Sequence, residues 1–71
     1  MLQITVNGEL RRFSSPLTVA TLTASLGLAG KRIAVEKNGE IVPRSQHEAT
    51  PLAEGDCLEI VVAALLFATI Q

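Results

Sequence analysis

The chain is poor in the residues that build disulfides, metal sites and nucleic-acid surfaces. It has one cysteine and one histidine, so we expect neither an internal disulfide nor a Cys/His metal site. Tryptophan and tyrosine are absent and phenylalanine occurs twice, which leaves no stacking platform for single-stranded nucleic acid. Six basic and seven acidic residues give a net charge of −1, which argues against a phosphate-binding face. Composition therefore predicts no metal, no cofactor and no nucleic-acid partner.

Long hydrophobic runs are missing as well. The most apolar stretch, residues 60–70, is far shorter than the ~20 residues that cross a bilayer, so we expect no membrane span. The chain starts directly with a strand pattern, without the features of a signal peptide. A single cysteine fits a reducing compartment, and we expect a cytoplasmic location. Cys57 is interpreted as a strand residue on the open side of a sheet, with a reactive thiol as the alternative.

The strongest pattern in the sequence comes near its end. With 71 residues, of which 48% are hydrophobic, the chain has the size and composition of one globular domain. Leu58, Ile60 and Val62 alternate with Glu59 and Val61, which is the period of a strand with one buried face. A strand this apolar is typical of the middle of a sheet, where neighbours cover both edges. We therefore expect this last strand to be central.

The first part of the chain predicts a hairpin. Residues 2–6 alternate between apolar and polar side chains, and Asn7-Gly8 then fits a type I′ turn, which needs positive φ at both central positions. Residues 10–13 form the return strand. Arg11 and Arg12 are interpreted as charges that protect an edge strand, with an anion site as the alternative.

A short helix should follow the hairpin. Thr18 is a suitable N-cap, because its hydroxyl can accept a hydrogen bond from an amide of the first turn. Val19, Leu22 and Leu26 recur at helical spacing and form one apolar stripe. Gly27 is suited to the position just after the helix, where a left-handed backbone is common.

The second half predicts another hairpin before the last strand. Residues 33–36 alternate, Asn38-Gly39 repeats the turn signal, and residues 40–42 return until Pro43 ends the strand. The polar segment 44–52 is expected to contain a turn or two of 3₁₀ helix that lays its last leucine on the core. Two hairpins, one helix and a final apolar strand predict an α+β fold of the β-grasp, ubiquitin-like type. We expect a mixed sheet of four to five strands packed on one helix, with the first and last strands parallel and adjacent.

One stretch goes beyond the fold and resembles a known family. Residues 35–47 read Val-Glu-Lys-Asn-Gly-Glu-Ile-Val-Pro-Arg-Ser-Gln-His. Together with Gly55-Asp56 and residues 58–61, this stretch closely resembles the sulfur carrier of thiamine biosynthesis. The resemblance runs from residue 1 to about residue 62. It implies a carrier rather than an enzyme. Family members end in Gly-Gly. An ATP-dependent adenylyltransferase converts the terminal carboxylate to an acyl-adenylate, from which a thiocarboxylate forms. Thiazole synthase then takes the sulfur.

The last nine residues depart from that family. They read Ala-Ala-Leu-Leu-Phe-Ala-Thr-Ile-Gln, and no glycine follows Gly55. Gln71 carries the terminal carboxylate, but its side chain and that of Ile70 do not suit a channel built for glycine. We therefore divide the chain into a β-grasp domain, residues 1–62, and an apolar tail, residues 63–71, and expect the chain to be inactive as a carrier in this form. A shifted reading frame, an added segment and natural divergence are all open as the origin of the tail.

Two groups of residues are candidates for binding a partner. The first group lies on the sheet face away from the helix and consists of Ala34, Glu36, Cys57, Glu59 and Val61. The alternative interpretation is that this face is an ordinary solvated surface without a partner. The second is the apolar part of the tail, expected to contact a partner or another copy of the chain either as a continued strand or as a short helix; it consists of Leu65, Leu66, Phe67 and Ile70. The alternative function is a non-catalytic interaction module that self-associates or docks through these residues. His47 is expected to be an exposed loop residue rather than a general base.

Overall fold

A mixed sheet with one helix against it forms the described part of the protein. The computed structural model describes residues 1–62. The elements are β1 (Leu2–Val6), β2 (Glu9–Phe13), α1 (Val19–Ser25), β3 (Ile33–Lys37), β4 (Glu40–Val42), a 3₁₀ helix (Arg44–Gln46) and β5 (Cys57–Val62). The strand order is β2-β1-β5-β3-β4, with β5 parallel to β1 and antiparallel to β3. The predicted α+β class, the β-grasp fold and the central position of the last strand are confirmed.

Both Asn-Gly turns have the geometry that their sequence predicts. Asn7 and Gly8 have φ angles of 51° and 81°, and Asn38 and Gly39 have φ angles of 52° and 88°. Positive φ at both central positions defines a two-residue type I′ turn. The closing residue pairs are therefore Val6 with Glu9 and Lys37 with Glu40. These turns fix the register of both hairpins, which determines the side chains that share a face.

Helix α1 is short and begins and ends as its sequence indicates. The Thr18 hydroxyl accepts a hydrogen bond from the Thr21 amide at 3.2 Å, which satisfies one unpaired donor of the first turn. Gly27 has a φ of 77° and allows the Leu28 amide to bond back to the Thr23 carbonyl at 2.9 Å, as in a Schellman motif. Seven residues are too few for a helix stable by itself in water, so its packing on the sheet stabilises it.

The core lies between α1 and the inner face of the sheet. Its buried hydrophobic residues are Ile4, Val6, Leu17, Val19, Leu22, Val35, Val42, Leu52, Leu58 and Ile60, with Leu26 partly buried at its margin. The predicted contact of Ile4, Val35, Leu58 and Ile60 with the helical stripe is confirmed. The 3₁₀ helix also forms as expected, and the following segment buries Leu52, whose amide donates to the Leu17 carbonyl at 2.8 Å.

The expectation that His47 is exposed was wrong. His47 is only 9% exposed, and its Nε2 donates a hydrogen bond to the Val42 carbonyl at 3.1 Å. The backbone carbonyl of His47 accepts a second bond from the Ala20 amide at 2.9 Å. The 3₁₀ helix that follows Pro43 turns the chain back under the start of α1, and this brings a polar loop residue into contact with two elements.

The predicted apolar tail lies outside the described residues. The contacts predicted for Leu65, Leu66, Phe67 and Ile70, the terminal carboxylate of Gln71 and the division of the chain at residue 62 therefore stay predictions. Among residues 1–62, no helix has the length and apolar character needed to cross a membrane.

Candidate functional site

The sheet has one face covered by α1 and one face turned away from it, here called the open face. Along β5, Leu58 and Ile60 are buried in the core, so Cys57, Glu59 and Val61 point to the open face and are exposed. Along β3, Val35 is buried, so Ala34 and Glu36 point the same way as the outward residues of β5. The structure thus brings all five sequence-predicted face residues together. Their role in binding stays a prediction.

The strand register arranges these residues in two neighbouring pairs. Ala34 lies opposite Val61, and Glu36 lies opposite Glu59. Neither carboxylate forms an ion pair within residues 1–62, where the ion pair found is that of Arg11 with Glu9. Like charges directly opposite each other destabilise a sheet. The centre of the open face therefore combines a small apolar pair with two carboxylates that repel each other.

Two further apolar residues on the open face were missed by the sequence reasoning. Leu10 lies opposite Thr5, and Ile41 lies opposite Glu36. They are 64% and 66% exposed, and Val61 is 47% exposed. The signal for them was present, because a two-residue Asn-Gly turn fixes the hairpin register. Counting back from each turn places Leu10 and Ile41 on the side of the sheet that faces away from the helix.

The open face is therefore more apolar than expected. Three of the four large hydrophobic residues that are exposed within residues 1–62 lie on it, the fourth being Met1. Leu10 is on the edge strand β2, and Ile41 is on the opposite edge strand β4. Val61 is on the central strand β5. Leu10 and Ile41 thus lie on opposite edges of the sheet, and a part for these side chains in binding a partner stays a prediction.

The open face also adjoins the point where the chain leaves the described domain. Strand β1 ends at Val6, and the side chain of Asn7 bonds to both backbone groups of Ile60. Beyond Ile60, β5 pairs with β3, in which Ile33 lies opposite Val62. β5 thus ends at Val62, next to the Ala34–Val61 pair of the open face. A partner on the open face would have the end of β5 within reach.

A cleft lies between α1 and the 3₁₀ helix. It has a volume of about 410 Å³ and is lined by Ala20, Thr23, Ala29, Gly30, Arg44, Ser45, His47 and Glu48. The imidazole of His47 is already bonded to the Val42 carbonyl, and the Thr23 hydroxyl donates to the Ala20 carbonyl at 3.0 Å. These bonds engage the side chains of His47 and Thr23 within the cleft wall. No nucleophile and base are paired there among the described residues.

The residues with metal-binding or nucleophilic chemistry lie apart from each other. Within residues 1–62, no three His, Cys, Asp or Glu side chains come close enough to bind a metal ion together. Cys57 is a free, exposed thiol, in the strand position that the sequence predicted. Among the described residues, the open face thus remains the candidate binding site.

Comparison with known proteins gives a consistent result for sequence and structure. The model of the ThiS family matches residues 4–64. A thiazole synthase from Paramagnetospirillum magneticum is 43% identical over 60 residues, and one from Magnetococcus marinus is 35% identical over 60 residues. These matches cover 84% of this chain but 18% of each relative, so the chain spans about a fifth of the length of the curated relatives it matches.

Two solved structures of one protein are similar over most of their length. The crystal structure of the thiamine biosynthesis protein ThiS from Geobacter metallireducens has a TM-score of 0.77 and 31% identity, and the match covers 86% of this chain and 93% of that one. The NMR structure of a thiamine biosynthesis protein from the same organism has a TM-score of 0.74 and 32% identity, with 84% and 81% of the two chains covered.

Proposed function

The chain belongs to the ThiS family, and from this we propose that it is a sulfur carrier of thiamine biosynthesis that docks on partner enzymes through its open face. The observation that carries the proposal is the family match over residues 4–64, which includes the helix, four of the five strands in full and the last three residues of β1. The β-grasp fold shared with the ThiS structure from Geobacter metallireducens supports it.

In this role the fold presents the end of its chain to an enzyme. ATP converts a C-terminal carboxylate to an acyl-adenylate with release of pyrophosphate, and a sulfur donor then displaces AMP to leave a thiocarboxylate. The described domain contributes position rather than catalysis. β5 is paired with β1 and β3 and ends at Val62, beside the open face.

Thiazole synthase is the partner that the relatives favour. Two curated proteins with that name contain a segment similar to this chain within a polypeptide about five times longer. In those relatives a segment of this kind is covalently joined to the remainder of a thiazole synthase. We propose that a form of this chain that ends in Gly-Gly delivers sulfur to the same class of enzyme. The resemblance noted in the sequence adds an adenylyltransferase as the partner that activates the carboxylate.

A test of carrier function uses the 71-residue chain and a variant in which Gly-Gly replaces everything after Ala63. We expect no acyl-adenylate from the chain as given, because Ile70 and Gln71 carry side chains where a narrow channel requires glycine. We expect the Gly-Gly variant to be activated. The measurement is ATP–pyrophosphate exchange with an adenylyltransferase of the family, followed by mass spectrometry for the exchange of one oxygen for sulfur.

The two chains give separate answers. Exchange with the unaltered chain would show that its own tail is accepted and would contradict the expected inactivity. The absence of exchange with both chains, while a known carrier reacts in the same assay, would contradict carrier function itself. A variant that ends in Ala-Ala after Ala63 controls for chain length, since it has the same number of residues as the Gly-Gly variant.

A second function is favoured by the exposed apolar residues of the open face. Leu10, Ile41 and Val61 would suit a non-catalytic module that binds partners without transferring sulfur. This alternative predicts binding to thiazole synthase or to the adenylyltransferase, with no acyl-adenylate from the Gly-Gly variant. The exchange assay above therefore separates the two functions.

A further inference from the structure

The middle of the open face places two carboxylates among apolar side chains. Val61 follows Glu59 by two residues on β5, and Ala34 precedes Glu36 by two residues on β3, so the apolar pair and the acidic pair are neighbours along the strands. Ile41 lies beside Glu36 on the next strand. A protein surface that covers Val61 and Ile41 must therefore also cover Glu36 and Glu59.

We propose that the open face binds a protein surface that presents a lysine or arginine side chain between apolar residues, with the cation seated between Glu36 and Glu59. This inference rests on the proposed function, in which the open face docks on a partner enzyme. It adds the chemistry that the partner must offer at the centre of the contact.

The energetic argument begins with the cost of covering a carboxylate. An ionised group removed from water is strongly destabilised unless a charge or hydrogen-bond donors compensate for the lost solvation. Here two carboxylates lie opposite each other and already repel each other in the free protein. An apolar partner surface alone would increase that repulsion by excluding water. A cation between the two groups removes the repulsion and compensates for part of the lost solvation.

Lys37, Arg11 and Arg12 are engaged or distant, and Arg32, which precedes β3, already has an interaction partner. Lys37 follows Glu36 but is on the inward side of β3, and its Nζ donates to the Pro51 carbonyl at 3.3 Å. Arg11 is paired with Glu9 at 3.1 Å. Arg12 shares the open face but lies on β2, two strands from Glu59. The compensating cation is therefore expected from the partner.

The same charges argue against two other occupants of the face. A second copy of this chain, docked face to face, would bring four carboxylates together. The chain's own residues 63–71 contain no charged side chain, so they would cover the acidic pair without compensating for it. Complementarity of charge thus favours a different protein with a basic group.

The test measures binding of the full 71-residue chain to the thiazole synthase of the same organism by isothermal titration calorimetry at low and high salt. The double variants Glu36→Gln/Glu59→Gln and Glu36→Lys/Glu59→Lys are compared with the unaltered chain. Matched controls are Glu9→Gln/Glu40→Gln and Glu9→Lys/Glu40→Lys, which change the net charge equally at exposed positions on the helix side of the sheet.

We expect the glutamine variant to bind about tenfold more weakly at low salt and to lose most of its salt dependence, since the coupling of close charge pairs across an interface is worth more than a tenfold change in affinity. The lysine variant should lose binding altogether, and both controls should bind as the unaltered chain does. The melting temperature of the glutamine variant should rise, because the repulsion between strands is removed. Weaker binding by a more stable protein excludes a merely structural effect.

The possible failures are distinguishable. Unchanged binding by the glutamine variant, or equal losses in the control variants, would overturn the cation site and leave the sulfur-carrier function intact. No binding of the unaltered chain would count against thiazole synthase as the partner and overturn the inference with it. Tighter binding by the glutamine variant would show that the partner surface is apolar or acidic at this point, which also overturns the inference.

Discussion

Asn7 stabilises the protein through its backbone and through its side chain. Its φ of 51° forms the first hairpin turn. Its Nδ2 donates to the Ile60 carbonyl at 3.1 Å, and its Oδ1 accepts from the Ile60 amide at 2.7 Å. The side chain thus acts as an additional peptide unit at the end of β1 and extends the parallel pairing with β5. Asn38 contacts the start of β5 in a similar way, since its Oδ1 accepts from the Cys57 amide at 2.9 Å.

The substitution Asn7→Gly separates these two contributions. Glycine keeps the positive φ without strain but leaves both backbone groups of Ile60 without their partner in a partly buried place. We expect a loss of about 1–3 kcal/mol in the free energy of unfolding, measured by urea denaturation. Asn38→Gly is the matched control, because its bond to Cys57 is exposed and water can replace it. Equal losses in the two variants would contradict the role given to the Asn7 side chain.

His47 marks the limit of residue-level prediction from this sequence. It stands in a polar segment with no periodic pattern, and such a segment gives no indication of burial. Its burial depends on the 3₁₀ helix that follows Pro43 and on the Ala20 amide of a distant helix. The contact with Ala20 is not local in sequence, so only the assembled structure shows that this polar residue is part of the packing.

At the level of elements, β5 combines core and surface in alternate residues. Ile60 is 7% exposed and belongs to the core, whereas Val61 is 47% exposed and belongs to the open face. We expect Ile60→Ala to lower the free energy of unfolding by about 2–5 kcal/mol, because it leaves a cavity under α1. That loss is a large part of the total stability of a small domain. The measurement is thermal or urea unfolding followed by circular dichroism.

Val61→Ala provides the comparison on the same strand. It shortens a neighbouring β-branched side chain that is half exposed, and its effect on unfolding should be within about 0.5 kcal/mol of zero, as is usual for surface changes. A variant of Ile60 that melts close to the unaltered protein would show that β5 does not organise the core. Similar losses at both positions would show that the two faces of β5 are not distinct.

The elements were largely predictable because their signals are local. Alternation revealed β1 and β5, and the Thr18 cap and Gly27 bounded α1 within a residue or two. The open-face site was predictable in part: the five residues proposed from alternation do share a face. Leu10 and Ile41 were missed although the Asn-Gly turns determine their side, because they stand next to charged residues on short return strands and alternation is weak there. Predicting that Glu36 lies opposite Glu59 requires knowledge of the register of β3 against β5, and no turn fixes that register.

In the whole molecule, the core that the structure describes joins the sheet to α1. Within residues 1–62, its ten buried hydrophobic residues fall between residues 4 and 60. We expect a chain that ends at Val62 to keep the sheet and the helix, because both lie within residues 1–62. The role of the residues after Val62 stays a prediction.

The apolar residues after Val62 lead to a prediction about association. Burial of Leu65, Leu66, Phe67 and Ile70 would contribute roughly 1.5–3 kcal/mol for each side chain, and contiguous apolar surface of this kind is rarely left in water. Since two open faces would repel each other through Glu36 and Glu59, we expect the 71-residue chain to self-associate through these tail residues. Sedimentation velocity over a range of concentrations should show oligomers for the full chain and a monomer for a chain that ends at Val62. The variant Leu66→Asp/Phe67→Asp keeps the chain length and should also be monomeric, so two monomers of the same shape for the full and shortened chains would mean that the tail drives no association.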